Sequence, residues 1–394
     1  MISLLAAAEF LGMSVWFSAA AVVPFLTTNW QLSGADVAWL TMSVQIGFVV
    51  GTLGSSLFNL ADFFTGHRFF AVSSFFAALT TALIPAFDFG FSAVLGLRFL
   101  TGMALAGVYP VGMKIMSTWT KEDRGLGIGL LVGALTVGAA SPHLANALGG
   151  VREWRMVFYS SAFAAFAGGW IALLFIREGP YRTPFPRFNW RYAASIFRQR
   201  DLALANFGYL GHMWELYAMW AWVPMFLLAS FEARGVGSLW SSLAAFTVIA
   251  VGGVGSAAAG YLADRCGRTA ITIGSMAASG LCALVVGLLF GGSPLVVVLV
   301  CVIWGFAVVA DSAQFSACVT ELCEPEYLGT ALTLQTSIGF LLTMVTIRLV
   351  PPLVEWLTWK WAFSLLALGP ALGVWAMVRL RSLPSAARIA GGRR

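Results

Sequence analysis

The sequence predicts an all-α membrane protein of twelve transmembrane helices arranged as two pseudo-symmetric six-helix bundles. Three observations carry that prediction. Only 10% of the 394 residues are charged and 59% are apolar, whereas a soluble domain carries roughly a quarter charged residues. Apolar runs of about 20 residues recur along the whole chain, each long enough to cross a hydrocarbon core of about 30 Å as a helix. Landmarks of the first half also return, in order, in the second.

With lipid as the solvent, a spanning segment must satisfy its own backbone, so only helices and closed barrels qualify. The runs are rich in Gly and show no ten-residue alternation of the barrel type, which leaves helices. Spans are predicted at 3–26, 39–61, 69–88, 91–118, 126–148, 156–176, 202–230, 239–263, 270–290, 295–319, 331–350 and 361–379. Met1-Ile2 leads into the first run without a basic n-region, so that run reads as span 1 and a cleaved signal peptide is not expected. The longest polar interruption, 177–201, holds six Arg and three Pro and reads as a linker. The expected division is an N-terminal bundle at 1–176, that linker, a C-terminal bundle at 202–380 and a tail at 381–394.

The duplication rests on spacing. Asp62 and Asp264 lie 202 residues apart, Gly125 and Gly329 204, Trp154 and Trp359 205. A drift of three residues over three landmarks argues for an internal repeat, and an even number of spans per half makes the repeats parallel.

Twenty of the 23 basic residues are Arg, and most stand between spans or in the tail, which is a topology signal and not a nucleic-acid footprint. Counting alternate connections gives 16 Lys and Arg on the side of the termini and 4 (Arg152, Arg155, Arg234, Lys360) on the other. Both termini and the linker are therefore expected in the cytoplasm, in an inner membrane, with the chain a monomer. The five cysteines (266, 282, 301, 318 and 323) fall in spans or short loops of the second half and imply no disulfide framework.

Between spans 8 and 9 stands GYLADRCGRT, Gly260 to Thr269. It resembles the signature loop of the major facilitator superfamily, Gly-x-Leu-Ala-Asp-Arg-x-Gly-Arg, at every defining position. Gly260 and Gly267 suit a tight turn, Arg265 and Arg268 supply cytoplasmic charge, and Asp264 can cap a neighbouring helix N-terminus. A positive-inside hairpin without a gating role is the plainer alternative. The matching loop FNLADFFTGHR keeps Leu60, Ala61, Asp62, Gly66 and Arg68 but has Phe58 for the first Gly and Phe63 for the Arg. RFLTGMALAG, Arg98 to Gly107, resembles the family's second motif in span 4; GALTVGAASPHLANALGG departs from its antiporter signature in span 5, where Ser141 precedes Pro142. The resemblance runs the length of the chain and implies two bundles that rock around a central cavity.

Charges within spans are costly and usually face protein or water. They are Glu9, Arg98, Lys114, Glu215, Asp311 and Arg348. Lys114 can snorkel, Arg348 suits interfacial anchoring, and Glu9 lies close enough to the start of its span to reach interfacial water. The resemblance implies that spans 1, 4, 7 and 10 line the cavity. Arg98 and Tyr109, eleven residues apart, share a face of an unbroken helix. In span 7, His212, Glu215, Met219 and Trp222 form one stripe; Trp304, Asp311 and Gln314 form another in span 10, and Glu9, Met13 and Trp16 a third in span 1. Such stripes also arise from packing and from interfacial belts.

No P-loop, zinc-protease motif or nucleophile–base set is legible, so no enzyme, cofactor or metal is expected. The expected function is secondary active transport of a small organic solute by alternating access, with protons carried by Glu215, Asp311 and Glu9. Arg98 would favour an anionic group on the solute. A drug–proton antiporter is the alternative, and a non-transporting sensor or scaffold of the same fold is a third reading.

Overall fold

The structure is a computed structural model that describes all residues except 59, 88–89, 121–123, 150–153, 182–191, 193–195, 197 and 394. Most of the expected linker therefore lies outside the described residues. Among the described residues, ten helices are long and apolar enough to cross a membrane. Two more complete the twelve. One is span 1, which is divided into Ile2–Met13, Ser18–Ala21 and Val23–Trp30. The other is span 7, Arg200–Glu232, whose 33 residues carry His212, Glu215 and several Trp and Tyr that dilute its hydropathy.

The remaining spans are Gly34–Leu57 (span 2), Gly66–Ala86 (3), Arg124–Gly149 (5), Trp154–Phe175 (6), Ser238–Cys266 (8) and Arg268–Leu289 (9). Spans 4 and 10 are each two helices, Phe91–Leu105 with Tyr109–Trp119 and Pro294–Ala310 with Ser312–Leu322. Span 11 is Leu328–Ala362 with a kink at Thr358, and span 12 is Ser364–Arg381. The chain continues into a short helical tail, Pro384–Gly392.

Packing repeats with a period of six. Span 1 lies against 5 and 6, span 2 against 4, and span 3 against 6; in the second half 7 lies against 11 and 12, 8 against 10, and 9 against 12. The halves meet where span 5 packs on 8 and span 2 on 11. The 5–8 contact is backbone to backbone: a Cβ added at Gly133 would come within 2.8 Å of the Gly253 carbonyl oxygen, and one at Gly253 equally close to that of Gly133.

Prolines inside spans free the carbonyl four residues back, and side chains satisfy two of them. Pro142 leaves the Gly138 carbonyl to accept from Ser141 Oγ at 2.7 Å. Pro351 leaves that of Ile347 to accept from Trp222 Nε1 at 3.0 Å.

Candidate functional site

At the junction of the halves, span 1 loses its helical course between Met13 and Ser18 and turns Trp16 and Phe17 inward. They meet rings from three other spans. Trp16 lies 5.1 Å from Phe48, 5.8 Å from Tyr217 and 5.6 Å from Phe340 between ring centroids, and Phe17 lies 5.8 Å from Trp220. This aromatic plug is buried and separates two cavities. On the side of the termini is a space of about 40 Å³ among Tyr109, Tyr209, Met213, Tyr217, Thr336 and Phe340. At the far end is a cleft of about 200 Å³ between spans 1, 5, 7 and 8, which includes His143, Asn146 and Ser242. The inner space admits a few waters, well short of the ~300–1,000 Å³ of an ordinary ligand pocket.

The end bearing the termini is shut by the 8–9 turn. Gly267, at φ +97°, occupies a backbone region that other residues rarely adopt, and so reverses the chain between Cys266 and Arg268. Asp264 then lies against the first turn of span 5, so close that a Cβ at Gly125 would come within 2.5 Å of its Oδ1. Arg268, buried, holds Asp264 at 3.1 Å, Glu321 of span 10 at 2.8 Å and the Gln314 Oε1 at 2.9 Å. The Arg265 guanidinium covers the Tyr261 ring at 3.6 Å. Gly260 sits against the Gly125 carbonyl. In the 2–3 connection Arg68 is exposed, and the Asp62 side chain lies outside the described residues.

The polar stripe of span 7 takes a direction other than the expected one. His212, Glu215, Met219 and Trp222 face the interior of the second bundle, while Tyr209, Met213, Leu216, Tyr217 and Trp220 face the junction. Glu215 accepts from Ser279 Oγ of span 9 at 2.8 Å and from Trp304 Nε1 of span 10 at 2.7 Å. His212 Nδ1 lies 2.8 Å from Asp311 Oδ1, so its partner is span 10 and not Glu215. The physical reason is that in lipid the polar face seeks donors, which the bundle interior offers, and leaves the junction to rings and methionines. Gln314 likewise faces Arg268 and not the cavity.

Arg98 also departs from expectation. Its guanidinium donates to the Val15 carbonyl at 2.8 Å, to Ser18 Oγ at 3.1 Å, to the Trp16 carbonyl and, at 3.5 Å, to the Leu40 carbonyl. It thus satisfies the backbone that the break in span 1 exposes. The face shared with Tyr109 assumed a continuous span 4, but the helix is interrupted at 106–108, and Tyr109 alone borders the inner cavity. Glu9 is buried against Gly112 of span 4, and neither carboxylate oxygen has a hydrogen-bond partner among the described residues.

Phe17, Tyr209 and Phe340 border the junction without having been singled out in the sequence, and Tyr217 and Trp220, read there only as aromatic neighbours of the polar stripe, border it too. A signal existed: 209, 213, 216, 217 and 220 follow three–four spacing as well as the polar stripe does, and only the weight given to charge hid them.

The sequence profile of the Major Facilitator Superfamily matches residues 5–347. Among curated relatives, the 4-hydroxybenzoate transporter of Pseudomonas aeruginosa is 32% identical over 101 residues, covering 26% of this chain and 22% of that one. A putative niacin/nicotinamide transporter of Bacillus subtilis is 25% identical over 218 residues, 52% and 53% of the two chains. The niacin transporter of Acinetobacter baylyi is 31% identical over 133 residues, 31% and 29%. The matched stretches span about half or less of those relatives' lengths. Among solved structures, a variant of the nucleoside transporter NupG superposes with a TM-score of 0.71 at 16% identity, covering 96% of this chain and 99% of that one. The proton:xylose symporter XylE gives 0.70 at 15%, covering 96% and 95%. At such identity the structural likeness speaks for the fold. With that fold and a profile match over most of its length, the chain belongs to the major facilitator superfamily.

Proposed function

We propose that this protein is a secondary transporter that moves a small aromatic solute through the junction of its halves by alternating access, driven by protons. The observation that carries this reading is the line of far cleft, aromatic plug and inner cavity, closed at the end of the termini by Asp264 against span 5. Such a line is a path with one end shut. Its rings favour a planar solute by stacking, and Tyr109, Tyr209, Ser312 and Thr336 offer hydroxyls to one polar substituent. Relatives named for 4-hydroxybenzoate and for niacin support a ring-bearing solute. Arg98 is engaged by backbone carbonyls and gives no reason to require an anion.

The bundles at 1–176 and 202–380 are the moving bodies, joined by 177–201, with the tail at 381–394. The Lys and Arg count supports cytoplasmic termini in a protein of the inner membrane, and one chain suffices because the path lies within it. Glu215 and the His212–Asp311 pair are the proton carriers, being buried titratable groups one helix face away from the path. The test is uptake into proteoliposomes of a panel of hydroxybenzoates, pyridine carboxylates and their amides, with xylose as the non-aromatic control, under an imposed pH gradient. Accumulation of at least one aromatic member in proportion to the gradient is expected. Accumulation of xylose alone, or of an aromatic solute regardless of the gradient, contradicts the reading.

A further inference from the structure

Span 10 is broken at Asp311, and its inner piece, Ser312–Leu322, makes contacts that the transport path does not use. We propose that this piece is an arm that links the protonation of the His212–Asp311 pair to closure of the end bearing the termini, with Gln314 as its positioning residue. The proposal rests on the proton-coupled reading above and adds to it the part that transmits the signal.

Three features carry the argument. The arm begins at a break: Asp311 caps both helical pieces, and its carbonyl accepts from the Gln314 N–H at 2.9 Å, a three-residue turn and not a helical bond. A break of this kind is where a helix pivots. Gln314 and Glu321 are seven residues apart, so they point within about 20° of one another. Both grip the same side chain, Arg268, through Gln314 Oε1 at 2.9 Å and Glu321 Oε1 at 2.8 Å. Arg268 in turn holds Asp264 at 3.1 Å against the start of span 5. A polar chain thus runs from the buried pair, at 2.8 Å, along the arm to the contact that joins the two halves.

Gln314 is fully buried, and its Nε2 has no acceptor among the described residues. The amide therefore has an unused donor in this state and a single contact, to Arg268, that displacement of the arm would break. Among the described residues, the other charged and titratable groups around the arm include Tyr209 and Glu215 of span 7, Asp264 of span 8, Arg268 of span 9, and its own Cys318 and Glu321. The tail also packs on it: the Ala390 N–H donates to Glu321 Oε2 at 2.9 Å, and Arg393 donates to the Asp264 carbonyl. Span 11 meets it through Gln335, whose Oε1 lies 3.4 Å from Ser316 Oγ. His212 and Asp311 are the one couple among these that ties span 7 to the top of the arm. A proton gained or lost there changes the attraction that holds the arm in place. The arm pivots, Gln314 and Glu321 move with it, and Arg268 loosens its hold on Asp264.

The test uses the full chain in detergent with Cys266→Ser to silence the exposed thiol and Thr120→Cys, a buried position at the closed end, as reporter. Thiol labelling is measured from pH 5.5 to 8.5 with no solute required, and each rate is divided by that of the same protein unfolded in SDS at the same pH, so that the thiolate fraction cancels. The parent should change this normalised rate several-fold across the range. Gln314→Leu should flatten the profile, Gln314→Glu, which keeps an acceptor for Arg268, should restore it, and Asp311→Asn should flatten it from the other end of the arm. A parent that is flat across the range overturns both the proton-coupled reading and the arm. A responsive parent with an equally responsive Gln314→Leu overturns the arm alone, and if that variant does not fold, an equally responsive Asp311→Asn has the same force.

Discussion

Spans 1 and 7 hold the same residues at the same places in the repeat and use them differently. Glu9, Met13 and Trp16 recur 206 residues later as Glu215, Met219 and Trp222. Glu215 accepts from Ser279 and Trp304, whereas both oxygens of Glu9 are without partners among the described residues. Trp222 donates to a proline-freed carbonyl in its own bundle, whereas Trp16 joins the plug between bundles and its Nε1 has no partner among the described residues. Even the residues that serve them correspond in sequence, since Arg98 lies 206 before Trp304. The cause is helix continuity. Span 7 runs unbroken through this region and keeps its stripe inside the second bundle, while span 1 breaks after Met13 and swings Trp16 out of register. A duplicated motif therefore fixes which side chains are present, and the continuity of the backbone fixes what they meet.

The comparison can be broken first at the acids. Glu215→Gln should abolish uphill accumulation of the solute while leaving exchange down its gradient measurable, because the amide still bonds Ser279 and Trp304 but holds no proton. A folded Glu215→Gln protein that accumulates solute at the parental rate removes this residue from coupling. Next comes the service residue of the broken helix. Arg98→Leu takes the guanidinium from the Trp16 carbonyl, at about 1–3 kcal/mol, and leaves the Val15 carbonyl with the Ser18 hydroxyl at 3.0 Å as its side-chain donor. The thermal midpoint should drop by many degrees, and a parental midpoint would mean that span 1 needs no such support.

The two tryptophans offer a sharper version. Trp222→Phe should cost on the order of 1 kcal/mol for the hydrogen bond to Ile347, while Trp16→Phe loses no bond and should cost less. Chemical or thermal denaturation of the two variants decides it, and a larger loss for Trp16→Phe would refute the account of continuity. The smallest effect is expected at Asp264→Asn, a few tenths to ~1 kcal/mol of charge–dipole energy at the start of span 5. Labelling of a cysteine at Thr120 should rise up to several-fold, and unchanged labelling would reduce the loop to a turn.

The architecture was legible because lipid leaves few options: run length gave the spans, and three matched landmarks gave the repeat. The 8–9 signature also marked Asp264 as a cap for a neighbouring helix, and the carboxylate lies against the start of span 5 at Gly125. The breaks in spans 1, 4 and 10 were not legible, because apolar runs carry no mark of where hydrogen bonding lapses. Arg98 was misjudged for that reason: its partners are backbone carbonyls, which no sequence pattern distinguishes. The facing of span 7 was misjudged because charge was taken to mark the path, when its donors, Ser279 and Trp304, lie on the opposite side.

The glycine seam between spans 5 and 8 has a mechanical consequence. Where Gly133 meets Gly253, backbone rests on backbone with the Val137 methyl beside it, so a roll of one half on the other would have few rotamers to displace. In a cycle of alternating access such a seam would act as a bearing and leave the barriers to its two ends and the plug. A methyl group added at either glycine would therefore slow turnover more than it weakens binding, since it roughens the surface that must move and touches nothing that the solute meets.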